Sequence, residues 1–298
     1  MSGKLKEVRE RIKSISSTQQ ITSAMKMVSA AKLKKAQDSI VQLRPYAFRL
    51  NQMLINILSN LEGDVNTKLG IEREVKNAVL VVVTSNRGLC GAFNANIIKV
   101  AEKSLKTEFK DQYDNGNVSI VCIGKKGYEY FNKHFTKANI ISDYVNAFED
   151  LSHDSISAIS DLLMKDFEDG KIDAVKVAFA RFKNAAVQFS ELEQFLPVPK
   201  VEVNESDEAK YKSNYIFEPD KDVLLETLIP SIMHTTFQRY LLDTNASEHG
   251  ARMTAMENAT ENAKELLGEL KLEFNKARQE AITKELLEII SGATALEG

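Results

Sequence analysis

One heptad phase can be followed without a break from residue 5 to residue 61. Its first core positions are Leu5, Ile12, Gln19, Lys26, Leu33, Ile40, Ala47, Leu54 and Leu61, and its second are Val8, Ile15, Thr22, Ser29, Ala36, Leu43, Leu50 and Ile57. A seam this long needs a partner helix, because a lone apolar stripe would stay wet. The other end of the chain supplies one. Met253, Met256, Thr260, Ala263, Leu267, Leu270, Phe274, Ala277 and Ala281 alternate by three and four.

Helical rise makes the first helix on the order of 85 Å long and the last about 105 Å. If the middle of the chain holds their inner ends together, the helices run antiparallel and facing residue numbers sum to about 282. Leu5 then faces Ala277. Residues beyond Ala277 extend past the start of the first helix, leaving an apolar tip at Ile282, Leu286, Ile289 and Ile290. Such a tip calls for a hydrophobic socket from another protein.

Between the helices the period changes. Ala78–Val83 is a continuous apolar run of the kind found in buried parallel strands. Residues 118–124, 139–141, 174–179 and 186–189 read as further strands, and 94–108 and 147–169 as helices. Alternation of strands and helices implies a mostly parallel sheet. The expected fold is an antiparallel two-helix coiled coil from both termini with a central Rossmann-like α/β domain. Its divisions are residues 1–61, 77–200 and 220–298, with 200–214 a polar linker. Pro45 and Pro230 fall inside the helices, and Pro45 is expected to kink the first one without ending it.

Composition narrows the function. Glycine and proline number only 13 and 5 in 298 residues, as long helices require. No apolar run reaches the roughly 20 residues of a membrane span, and the first residues carry no apolar signal-peptide core. Cys90 and Cys122 read as reduced thiols. Net charge is −3, but residues 1–49 hold eleven Lys/Arg against three Asp/Glu, a net of +8. Residues 243–298 hold six against eleven, a net of −5. The two charges either flank one coiled coil or leave basic excess for an acidic partner. Nucleic acid fits less well, since aromatics are not interleaved with the basic residues.

Catalytic signals are weak. Thr84–Asn94 follows a strand and opens a helix, where phosphate loops occur, yet it has neither G-x-G-x-x-G nor G-x-x-x-x-G-K-[ST] spacing. A tight strand-to-helix turn is the simpler reading. His134, His153, His234 and His249 are isolated in sequence and show no ligand spacing. No catalytic residue, cofactor site or metal site is expected. One stretch breaks the heptad rule. At Gln19, Thr22, Lys26 and Ser29 the seam turns polar and apolar residues move to Ile21, Met25 and Val28. Either the coil re-phases there, or this face turns outward toward something nonpolar.

These stretches carry a family resemblance. Ile21-Thr22-Ser23-Ala24-Met25-Lys26-Met27-Val28-Ser29-Ala30-Ala31-Lys32-Leu33 resembles the N-terminal signature of the gamma subunit of F-type ATP synthases. Ala246–Met256, Asn275-Lys276-Ala277-Arg278-Gln279 and Ile282-Thr283-Lys284-Glu285-Leu286 are similar to its C-terminal signature, and Ser85–Gly91 to its central domain. The resemblance covers the whole chain in order. It implies a rotor shaft inside an alpha/beta hexamer, with its globular end on the epsilon subunit and the ring of c subunits. On that basis Met25, Lys26, Arg252, Arg278, Gln279, Thr283 and Glu285 are coupling contacts to beta, and Tyr215 and Glu218 form the foot on epsilon and the c ring. Nucleotide and Mg would sit on the alpha and beta subunits. The expected location is the cytoplasmic side of a bacterial inner membrane, held there as a peripheral protein. The inserted cysteine pair of photosynthetic members is missing, so thiol gating is not expected. A coiled-coil scaffold with a non-catalytic α/β domain is the alternative. An enzyme with helical arms would instead have to bind nucleotide alone, and a basic-helix nucleic-acid binder would show salt-sensitive binding.

Overall fold

A computed structural model describes residues 3–59, 68–198 and 221–297. The chain forms two compact units. One comprises Met1–Ala30 and Arg252–Gly298, the other Ala31–Ala251. The elements in order are α1 (Gly3–Ser59), β1 (Ala78–Val83), α2 (Phe93–Thr107), α3 (Lys110–Asp114), β2 (Val118–Ile123), α4 (Lys125–His134), β3 (Asn139–Ile141), α5 (His153–Glu168), β4 (Ala174–Phe182), β5 (Gln188–Leu196) and α6 (Lys221–Glu297).

The larger unit is built on a five-stranded sheet of order β3-β2-β1-β4-β5. The first four strands are parallel and β5 pairs antiparallel with β4. Every residue of β1 is buried, because both faces of the sheet are covered. Val79, Val81 and Val83 join a core with α5, the 50–57 segment of α1 and the 225–241 segment of α6. Ala78, Leu80 and Val82 face the other way, against Phe93, Ile97, Ala101 and Leu105 of α2 and Phe131 of α4.

Several elements differ from expectation. The strand expected at 186–189 runs on to Leu196 and reverses direction. A hairpin turn explains this: the Asn184 side chain accepts from the N–H groups of Ala186 and Val187 at 3.0 and 2.8 Å. The helix expected over 147–169 is a single 3-10 turn at Ala147–Glu149 and then α5. A local turn fills this break, Asp150 Oδ1 accepting from Ser152 N–H at 2.9 Å. Helix α4 was not foreseen. Its sequence is polar on one side, and only Gly127 and Phe131 are buried.

The 84–94 segment is a tight turn. Ser85 N–H donates to Asn94 Oδ1 at 3.0 Å, Ser85 Oγ donates to Arg87 C=O at 2.7 Å, and Asn94 Nδ2 donates to Ser85 Oγ at 2.8 Å. The polar side chains of Ser85 and Asn94 are thus spent within the turn, while Asn86 Oδ1 accepts from Lys125 N–H at 3.1 Å. Leu89 takes φ 65° and points outward. The end of β1 is pressed against the end of β2: a Cβ on Gly124 would lie 2.0 Å from Thr84 O, and Gly127 N–H donates to Thr84 Oγ1 at 2.8 Å.

Candidate coupling face of the two-helix coil

In the smaller unit α1 and α6 run antiparallel. Arg9 lies over the Phe274 ring at 5.7 Å, the hydroxyls of Thr22 and Thr260 meet at 2.8 Å, and Lys26 Nζ binds Glu257 Oε1 at 2.6 Å. Facing numbers therefore sum to 282 or 283 at three levels, in line with the register read from helix lengths. Leu5, Val8, Met256, Ala263, Leu267, Leu270 and Ala277 are buried along the seam. The same register puts Leu5 opposite Ala277.

The polar stretch of the seam does not re-phase. Thr22 and Ser29 stay buried, Ser29 at 2% exposure, while Ile21, Met27 and Val28 stand 58%, 65% and 57% exposed. Hydrogen bonds make this tolerable. Thr22 Oγ1 donates to Gln19 C=O at 3.1 Å, Ser29 Oγ to Met25 C=O at 2.8 Å, and Thr260 Oγ1 to Met256 C=O at 2.7 Å. A buried hydroxyl bonded to its own helix costs little. Leucines at these positions would have pulled the apolar face inward. Small polar residues instead leave the apolar set on the outside.

The residues matched to coupling positions fall at two levels. Met25 and Lys26 are half-buried and Arg252 is buried. Arg278, Gln279, Thr283 and Glu285 are exposed. They begin 26 residues farther along α6, about 39 Å away at helical rise. The two sets therefore form two separate contact levels. Ile282, Leu286, Ile289 and Ile290 are all exposed, and Leu287, not singled out from sequence, joins them. Glu257 and Met27 also escaped notice. The register rule alone would have paired Glu257 with the level of Lys26. Tyr215 and Glu218 lie outside the described residues.

Two expectations about chemistry are refined in the larger unit. His153 and His234, distant in sequence, have ring centroids 6.1 Å apart. They are brought together because α5 packs on α6. His234 Nδ1 lies 2.7 Å from Ser160 Oγ, and its Nε2 lies 3.2 Å from Asp161 Oδ1. Burial lowers the His234 pKa. Among the described residues no group of three or more His, Cys, Asp or Glu is placed to hold a metal. Cys90 and Cys122 are free and buried, and burial pushes the Cys122 thiol up to about 12, so it stays an inert thiol.

A long antiparallel coil with an apolar outward face, formed by the two ends of a chain whose middle is a mostly parallel sheet, defines a shaft-type subunit with geometry suited to contact. The ATP synthase family model matches residues 4–296. The ATP synthase gamma chain of Cytophaga hutchinsonii is 49% identical over 292 residues, covering 98% of each chain. That of Flavobacterium johnsoniae is 49% identical over 295 residues, covering 99% of each. The chain belongs to the ATP synthase gamma-chain family. Among solved structures, a chain of the Euglena gracilis mitochondrial ATP synthase (OSCP/F1/c-ring, rotational state 3) superposes with a TM-score of 0.65 at 22% identity, over 99% of this chain and 95% of that one. A chain of the Tetrahymena thermophila mitochondrial ATP synthase central stalk and c ring gives 0.54 at 22%, over 80% and 99%. These two show a shared fold. Among the described residues no helix is long and apolar enough to cross a membrane.

Proposed function

We propose that the chain is the central rotor shaft of an F-type, proton-translocating ATP synthase, turning within an alpha/beta hexamer and carrying no catalytic group, cofactor or metal of its own. The observation that carries this is the outward Ile21–Met27–Val28 face beside a polar, hydrogen-bonded seam, in a chain 49% identical to gamma chains along its whole length. An apolar patch of that kind on a helical rod marks a protein contact. Catalysis resides in the beta subunits, with nucleotide and Mg on alpha and beta. The shaft acts by contacting beta conformers unequally, since only a difference in contact free energy between states can shift them. The level of Met25, Lys26 and Arg252 and the level of Arg278, Gln279, Thr283 and Glu285 give two such sets of contacts. The apolar tip at Ile282, Leu286, Ile289 and Ile290 turns in a hydrophobic bearing. Tyr215 and Glu218 belong to the foot on the epsilon subunit and c ring. The complex holds the chain on the cytoplasmic side of a bacterial inner membrane.

The test is reconstitution with alpha and beta subunits followed by proton-driven ATP synthesis. Met25→Lys places a cation on the beta-facing level and is expected to lower synthesis more than it lowers assembly. Removal of residues 279–298 is expected to weaken torque while hydrogen exchange shows the central sheet still folded. Failure of the wild-type chain to copurify with alpha and beta would overturn the reading.

A further inference from the structure

Thr244 and Ser247 of α6 are fully buried, and both bond to the main chain of a single residue of β4. Ala180 N–H donates to Thr244 Oγ1 at 3.2 Å, and Ser247 Oγ donates to Ala180 C=O at 3.2 Å. The β1–β4 ladder stops at the Val82–Ala178 pair. Just beyond it the chain leaving β1 turns to β2, where Thr84 N–H donates to Ile123 C=O at 2.7 Å. Alternate residues of a parallel strand present both polar groups to the same neighbour, so Ala180 is the next after Ala178 to face the vacated edge. Its amide and carbonyl are buried and require partners. Helix α6 supplies two hydroxyls where a strand would have supplied a carbonyl and an amide.

The contact continues along one line of the helix. One turn before Thr244, the Tyr240 ring packs on Phe179 with centroids 4.4 Å apart, and Arg239 binds Glu193 at 2.7 Å. One turn after Ser247, a Cβ on Gly250 would lie 3.2 Å from Ala185 Cα and 3.2 Å from its carbonyl oxygen. Tyr240, Thr244 and Ser247 share a helix face, flanked by Arg239 and Gly250. Threonine, serine and glycine let the helix come down onto the sheet edge, and the hydroxyls make the contact directional.

We propose that Thr244 and Ser247 are positioning residues forming a torque-bearing joint between α6 and the central sheet. Apolar packing resists separation but is non-directional. Two hydrogen bonds to one peptide residue hold both the axial register of the helix and its rotation about its own axis. The inference rests on the rotor reading, because a joint that resists twist matters only in a shaft under torque.

The experiment uses the assembled complex with α6 cross-linked near its C-terminal end to the alpha/beta hexamer. The angular spread of a probe on the central sheet is recorded for wild type, Thr244→Val, Thr244→Ser, Ser247→Ala and the Thr244→Val/Ser247→Ala pair. Thr244→Val keeps the shape and deletes the acceptor. The spread is expected to widen in Thr244→Val, to widen most in the pair, and to return to wild-type width in Thr244→Ser. Exchange of the Ala180 amide in the same complexes should speed up about tenfold in Thr244→Val, the equilibrium worth of one net hydrogen bond. A purely structural role would lower thermal stability without widening the spread of the assembled rotor. Wild-type width in the double variant, with Ala180 exchange accelerated, overturns the joint. Should Thr244→Val not assemble, the spread is measured on Ser247→Ala, which leaves only a carbonyl short of a donor: a wider spread supports the joint and wild-type width overturns it. A wild-type chain that never enters the hexamer overturns the rotor reading and the joint with it, and is distinguishable from an unchanged spread in an assembled variant.

Discussion

The hydroxyls of Thr22 and Thr260 meet at 2.8 Å inside the seam between α1 and α6. A polar pair at facing core positions specifies register, since a slip would set a hydroxyl against an apolar neighbour. Thr22→Val and Thr260→Val are each expected to destabilise the chain by about 1 kcal/mol. The double variant should cost less than the two singles together, because each single already removes the Thr22–Thr260 bond and leaves a hydroxyl facing a methyl group across the seam. Denaturant midpoints of the four chains close the cycle, and strict additivity would show that the two hydroxyls do not interact.

The Lys26–Glu257 pair has 39% and 55% side-chain exposure. Glu257→Gln should therefore change stability by less than about 1 kcal/mol, with the difference fading as salt is raised. A larger, salt-insensitive loss would mean the pair is far less solvated than its exposure indicates.

Gly124 and Gly91 both have positive φ, at 98° and 61°, but differ in space. A Cβ on Gly124 meets Thr84 O at 2.0 Å, whereas nothing lies within 4 Å of one on Gly91. Gly124→Ala is expected to cost more than about 3 kcal/mol, since backbone must move. Gly91→Ala should cost about 1 kcal/mol from φ alone. Equal losses in thermal melts would refute the packing argument.

Asp243 is buried, and desolvation raises its pKa from 3.8 to about 6 against the opposing pull of Arg239, Arg44 and Arg181, with Glu193 adding to the rise. The folded state then holds this proton more tightly than the unfolded chain does. Its contribution to stability declines as pH rises from about 4 to about 6, and the full cost is present above that. Asp243→Asn should raise stability at pH 7 by up to roughly 3 kcal/mol and lose that advantage below pH 4. A pH-independent difference between the two chains would remove Asp243 as the source.

His234 works in the opposite sense. Burial lowers its pKa, opposed by Asp161 and reinforced by His153. The unfolded chain binds this proton more readily, so the His234 contribution is complete above about pH 6.5 and is lost as pH falls below it. His234→Gln should flatten the stability profile of the chain between pH 7 and 5. An unchanged acid slope would contradict the assignment.

Much of this architecture was legible from residue spacing. The seam from Leu5 to Ile57 repeats often enough for its phase to survive four polar positions. The buried run Ala78–Val83 has one sensible use, the centre of a covered parallel sheet. The antiparallel register followed from the helix boundaries once the middle of the chain was taken to hold their inner ends together, because rise per residue is constant. Helix α4 was hidden because its burial depends on what neighbouring segments cover, and the reversal of β5 was missed because it turns on one local signal, the Asn184 side chain accepting from Ala186 and Val187. The candidate coupling residues came from the family resemblance. What the residues themselves offered was the oddity at Gln19–Ser29, with two readings that periodicity cannot separate.

The sequence by itself determined that the two terminal helices pair with one another and that the middle of the chain forms a mostly parallel α/β core, because apolar periodicity and helical rise are local properties carried by every turn. Only the tertiary structure decided that the polar seam keeps its phase and turns Ile21, Met27 and Val28 outward, that His153 meets His234, and that Thr244 and Ser247 complete the vacated edge of β4. Each of these depends on which hydrogen-bond partner a distant segment brings within about 3 Å, and such distances arise only once the chain has closed upon itself.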